Sequence, residues 1–413
     1  MATKKKVTTA VAPDAAAGIT AAKRHPAAYA QTGTTEGAAP ASCGAEEGAH
    51  EVQAEASLCA GRGRPRAVSR GLTQEFSTSE LHHANRLRAL VILERFRVIR
   101  TIDVAVACFA ERPFKAALTA AQRVTRSLVK EQLIRRYKTE RFQTVYGLTA
   151  RGAAWLEEND QEATPSIRRV SDMTNPEHRL WLQFVVLCCS ARGLKAVTES
   201  ELLQALNRGQ RKATEIRQGL LTVDAVHGQR VVKRLLRPDA LAYEQDGATW
   251  FEVDRSKRGP ERDASLAGLC CAIGVTLEPG VCLRRVVVLA KSERIEKRAL
   301  SVVHELAKAN NGEVLTGGRR HFRSTDHPGT FEVWGAVELK GRDGRTRLVD
   351  RALGHLIVQL IPTWLPKVRL DSRNRFPISG WLDDNFLPYR RPDSAKPWSR
   401  PHRLLPVKGS PST

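Results

Sequence analysis

Between Arg284 and Ala290 the chain reads RRVVVLA, and from Ser292 to Asn310 apolar residues recur at helical spacing behind a serine suited to cap the first turn. A β-branched run leading straight into a long amphipathic helix commits this part of the chain to an α/β layer. The same alternation of helices with short β-branched strands extends from Pro176 to about Leu360, so a mixed α/β domain is expected over 172–362.

Upstream the pattern changes. The structured region begins near Leu81, and residues 84 to 156 fit three helices and a hairpin: Ala84 to Phe96, with Leu87, Leu90, Val91 and Phe96 on one stripe, then Thr101 to Ala110, then Lys115 to Gln132. Strand-like segments follow at Leu133 to Tyr137 and Gln143 to Leu148. That is the order of a winged helix-turn-helix, expected over 77–158. In the third helix Arg123, Arg126 and Lys130 share a face, joined by Lys115 at its start, while Val124, Leu128 and Val129 supply apolar contacts. The hairpin turns at residues 138–141, where Lys138 and Arg141 would lie against phosphates or the adjacent minor groove, contacts that position a protein without specifying sequence. The segment Tyr146 to Gly152 resembles the Y-x-L-T-x-x-G signature with which winged helices of bacterial regulators pass from the wing into a closing helix. The alternative is a basic helical region that packs on the rest of the chain or binds another protein.

Charge favours the first reading. With 66 Lys plus Arg against 44 Asp plus Glu, the formal net charge of +22 implies a polyanionic partner, here double-stranded DNA. Eight cysteines show no CxxC spacing, and adjacent pairs such as Cys188/Cys189 sit in apolar runs, so they read as buried core thiols in a reducing compartment. No stretch has the length and apolarity of a membrane span or a signal peptide, so a soluble, cytoplasmic protein associated with the nucleoid or a plasmid is expected.

Residues 1–76 are rich in Ala, Gly, Thr and Pro and read as a disordered basic tail; residues 371–413, rich in Pro and Arg, read as a second loose tail, with Trp381, Phe386 and Trp398 as candidates to dock on a partner or on the core. Within the first tail, Gly61-Arg62-Gly63-Arg64-Pro65-Arg66 resembles the AT-hook. A slim Gly-Arg-Pro backbone enters a narrow minor groove, whose negative potential attracts Arg62, Arg64 and Arg66. A chance match in an Arg-, Gly- and Pro-bearing tail is the alternative.

The carboxylates carry the chemistry. Pro238-Asp239, a turn at Asp246-Gly247, and then Glu252-Val253-Asp254 form a hairpin that brings Asp239 near Glu252. Strand alternation puts Glu252 and Asp254 on one face about 7 Å apart, with Phe251 and Val253 facing a core. Three converging carboxylates suit Mg²⁺, which can generate hydroxide and stabilise charge on a phosphate. In the bland reading Asp239 shapes a turn, and the acids pair with Arg237 and Arg255 on a solvated face.

The arrangement resembles the PD-(D/E)XK nuclease superfamily, with Asp239 as first acid and Glu252 as second; where that pattern has Lys this chain has Asp254, with Lys257 near the strand end. Taken with the Tyr146 to Gly152 segment, Pro238-Asp239-Ala240 and Trp250 to Arg255 resemble the bacterial replication-relaxation family of plasmids and integrative elements. Further support lies in Glu177-His178, a segment around Glu201, and a strand-Ser-Glu-Arg-helix unit at Arg294. The resemblance implies a winged helix followed by a restriction-endonuclease-like α/β domain, acting in replication, relaxation or transfer of mobile DNA, beside replication or transfer proteins, with a homodimer left open. Two further readings stay open: a Mg²⁺-dependent endonuclease, and a repressor or partition-type adaptor without catalysis.

Overall fold

Ser77 and Glu80 open the first helix reciprocally: the Ser77 hydroxyl accepts the Glu80 N–H at 3.1 Å, and the Glu80 carboxylate accepts the Ser77 N–H at 2.7 Å. Helix α1 (Thr78–Phe96) therefore starts earlier than its apolar periodicity indicates. It buries Ala89, Leu90, Ile92, Leu93 and Phe96, while Leu87 and Val91 pack at the margin. This is a computed structural model, and it describes residues 76–138, 144–163, 176–210, 212, 215–227, 230–254, 259–309, 319–340, 344–361 and 380–404.

Helices α2 (Thr101–Phe109) and α3 (Phe114–Lys130) follow, then an antiparallel pair, β1 (Ile134–Lys138) and β2 (Thr144–Leu148), and helix α4 (Ala150–Glu157). Ile99 makes a single antiparallel bridge to Tyr146 at the edge of the pair. Phe114, Ala117, Leu118, Ala121, Val124 and Leu128 form the buried side of α3. Val129 is a correction: it is exposed, because its position falls beside Arg126 and Lys130 on the outer stripe.

The Tyr146 to Gly152 segment has a local physical explanation. The Thr149 hydroxyl accepts the Gly152 N–H at 3.0 Å, capping α4, and donates towards the carbonyls of Gln132 and Leu133 at 2.7 and 2.9 Å. Gly152 is required by close approach, since a Cβ there would meet the Leu133 carbonyl oxygen at 2.1 Å. Replacing Gly152 by Ala is expected to cost about 1–3 kcal/mol, read as a lower denaturant midpoint with unchanged slope. A change below a few tenths would mean that α4 does not dock this closely.

The remaining elements run α5 (Pro176–Ala191), β3 (Lys195–Thr198), α6 (Glu199–Leu206), β4 (Leu221–His227), β5 (Arg230–Leu236), β6 (Ala240–Glu244), β7 (Gly247–Asp254), α7 (Pro260–Cys271), β8 (Thr276–Glu278), β9 (Val281–Ala290), α8 (Glu293–Ala309), β10 (His321–Ser324), β11 (Thr330–Lys340) and β12 (Thr346–Leu360). One mixed sheet has the order β10-β11-β12-β9-β7-β6-β3, with β8 paired to β9. Its centre, β7, β9 and β12, is parallel; its flanks are antiparallel. Both faces of that centre are covered, which explains the unbroken apolar run in β9. Phe251, Val253, Val287 and Leu289 belong to the core that includes Phe184, Val185 and Cys188 of α5. Trp250, Val286 and Val288 belong to a second core with Leu266 and Leu269 of α7 and Ala299 and Val303 of α8. Cys108, Cys188, Cys189 and Cys270 are buried free thiols, and burial pushes Cys108 up to about 12.

Helices α1 to α3 share the first of these cores with α5 and the sheet. A buried polar cluster crosses the junction: Asp103 accepts from Arg100 and from Gln183 of α5, while Arg100 donates to the Leu180 carbonyl at 2.7 Å.

Residues 380–404 correct the reading of 371–413 as a loose tail. Trp381, Leu382, Leu387, Tyr389 and Trp398 are buried in the first core. Arg192, just past α5, holds the segment by donating to the carbonyls of Leu382, Leu387 and Ser399, and His402 donates its N–H to the Ala191 carbonyl at 3.0 Å. Aromatic anchors and a cluster of carbonyl acceptors, not periodicity, order this stretch. Among the described residues no helix is long and apolar enough to cross a membrane.

Candidate functional site

The β6–β7 pair sets the carboxylates. Ala240 lies opposite Phe251, so continuing that register by one residue puts Asp239 level with Glu252. The Asp239 N–H donates to the Phe251 carbonyl at 3.1 Å and its Oδ2 accepts the Val253 N–H at 2.7 Å, so this acid also fastens the start of the hairpin. Glu252 is half-buried, and its Oε1 accepts the indole N–H of Trp250 at 2.8 Å.

The third member is His178, in the first turn of α5. Its Nε2 lies 3.2 Å from Asp239 Oδ2, bringing together residues far apart in sequence. Burial by itself would depress the imidazole; the hydrogen bond and charge of Asp239, with Glu252 and Glu199 behind it, outweigh that and raise its pKa above the ordinary 6.5. A histidine whose folded pKa is raised contributes stability that is fully present below its unfolded pKa and is lost as pH rises through the folded value. Thermal unfolding from about pH 5 to about pH 9 is therefore expected to show a loss that begins above the ordinary histidine value of 6.5 and runs on through the raised one, and His178→Gln to remove that component. An identical pH profile in the variant would break the link to Asp239.

Other residues around the pair serve the scaffold. Arg237 pairs with Glu199 at 2.8 Å, not with Glu252. Glu201 closes a capping box with Thr198 and pairs with Arg95 at 2.6 Å, contacts that hold its carboxyl below the usual range against the upward push of burial. The backbone of Asp254 ends β7 beside Ala290; its side chain, and the whole of Lys257, lie outside the described residues. Among the described residues no group of three or more His, Cys, Asp or Glu side chains is disposed to hold a metal ion.

A second locus lies on α3. Lys115, Arg123, Arg126 and Lys130 are all exposed along one stripe, opposite the buried Phe114, Leu118 and Leu128, and make no ion pair among the described residues. Lys138, expected in the hairpin turn, is instead the last residue of β1, paired with Thr144; Arg135 and Arg136 of the same strand, which composition around the hairpin could have flagged, join it, and all three are exposed. Arg141 and the Arg62, Arg64 and Arg66 segment lie outside the described residues. No protein-family model, curated protein or solved structure matches this chain.

Proposed function

We propose that the chain is a duplex-DNA-binding protein of a mobile genetic element, acting in its replication, relaxation or transfer, and that α1 to α4 with the β1–β2 pair are a winged helix-turn-helix. The observation that carries this reading is the α3 stripe: four exposed cations without an acidic partner among the described residues, on a helix whose other side is anchored in the core. Uncompensated cations at helical spacing match a row of phosphates, and releasing counterions from DNA makes such a contact favourable at low salt. The role on mobile DNA rests on the resemblance to the replication-relaxation family, with Pro238-Asp239 and Glu252 on neighbouring strands.

A Mg²⁺-dependent endonuclease is the second reading, favoured by Asp239 and Glu252 standing level beside His178. One experiment separates the two. Purified protein is mixed with supercoiled plasmid, with and without Mg²⁺ or Mn²⁺, and compared with Glu252→Ala for both mobility shift and nicking. A shift without nicking in both proteins supports DNA binding with a nuclease-like scaffold; metal-dependent nicking lost in the variant establishes cleavage; neither shift nor nicking rejects both.

A further inference from the structure

Between α6 and β6 the chain forms a separate antiparallel ribbon, β4 paired with β5 from Leu221↔Leu236 to His227↔Arg230, outside the main sheet. One side is anchored. Leu221, Val223 and Ala225 are buried, and α7 approaches so closely that a Cβ on Gly268 would sit 2.9 Å from both Val223 Cγ2 and the Asp224 carbonyl oxygen. The other side is open: Val226, Val231 and Leu235, which share a face by cross-strand pairing, are 60, 62 and 52% exposed.

The ribbon and its approach are strongly basic. Residues 207–237 hold eight Lys and Arg against two acids, Glu215 and Asp224. Arg234 is taken up by Glu261 and Arg237 by Glu199, each at 2.8 Å, whereas Arg208, Arg217, Arg230 and Lys233 make no ion pair among the described residues. Exposed aliphatic side chains flanked by cations that make no ion pair among the described residues mark a binding surface, and the charge decides for what. A second copy of a +22 chain would bring like charges face to face. A polyanion with a groove would not, and the major groove of a duplex admits a two-stranded ribbon.

We propose that the β4–β5 ribbon is a second DNA-contacting element that lies in a groove of the duplex, with Arg208, Arg217, Arg230 and Lys233 on phosphates and Val226, Val231 and Leu235 against sugars and base edges. Leu236, the last residue of β5, precedes Asp239 by only three residues, so a duplex gripped there lies beside the carboxylates. The inference rests on the DNA-binding reading and adds a surface remote in sequence from α3.

The test uses the full chain and a short fluorescent duplex, with equilibrium binding followed across a salt series. Arg230→Glu with Lys233→Glu is expected to weaken binding by about 30-fold and to make the log–log salt dependence shallower by about two, the loss of two phosphate contacts. Arg230→Gln with Lys233→Gln is expected to give a smaller loss in the same direction, and melting curves matching the parent show that both variants fold. Unchanged affinity in these variants, while Arg123→Glu with Arg126→Glu loses binding, would overturn the ribbon proposal and leave the DNA reading standing. No duplex binding by the parent protein overturns both. Unchanged DNA affinity together with loss of a dimer in sedimentation would assign the ribbon to self-association instead.

Discussion

Reversing charge at Arg123 and Arg126 together, as Arg123→Glu with Arg126→Glu, is expected to lower affinity for duplex DNA by about 100-fold near physiological salt. Two charge-assisted hydrogen bonds to phosphate, each worth about 1.5 kcal/mol, amount to about two decades in the binding constant. Both side chains are exposed and pair with nothing among the described residues, so the fold should tolerate the exchange. Because phosphate contacts carry no sequence information, the loss should be uniform across unrelated duplexes. A loss confined to one sequence would move these arginines from phosphates to base edges.

The largest effect on stability is expected at Asp103. This carboxylate is fully buried, and it accepts the Arg100 N–H at 2.7 Å, Arg100 Nε at 3.1 Å, Arg100 Nη2 at 2.8 Å and Gln183 Nε2 at 2.8 Å. Arg100 is itself only 5% exposed. Asp103→Ala leaves a buried guanidinium without its counter-charge and should cost about 3–5 kcal/mol in denaturant unfolding. Removing both charges, as Arg100→Met with Asp103→Leu, should recover most of that loss, because desolvating an ion pair cancels much of its attraction. A single variant within about 1 kcal/mol of the parent would show that water reaches this junction.

What could be read from the sequence was whatever is written in local periodicity. The three upstream helices, the hairpin after them, the strand through Val286 to Val288 and the helix behind it all announce themselves within a window of a few turns. The basic stripe of α3 and the level placement of Asp239 and Glu252 follow from helical and strand repeats in the same way. The start of α1 was also written locally, in the Ser77 and Glu80 capping box, but apolar periodicity is blind to caps.

The rest depends on contacts between distant segments. Trp381, Tyr389 and Trp398 show no repeat, and they are ordered by Arg192 and the end of α5, nearly two hundred residues earlier. His178 and Asp239 meet only because α5 packs against β6 and β7, a relation no spacing rule encodes. The β4–β5 ribbon is distinguished by what it leaves uncovered, and exposure is a property of the assembled fold.

Duplex binding through the α3 stripe can be read from equilibrium binding of the intact protein to a duplex of unrelated sequence across a series of salt concentrations. Four or more phosphate contacts predict saturable binding whose logarithm falls linearly with the logarithm of salt, at a slope of about −4 or steeper. Absence of saturable binding at low salt, or an affinity indifferent to salt, would rule out duplex binding through this stripe.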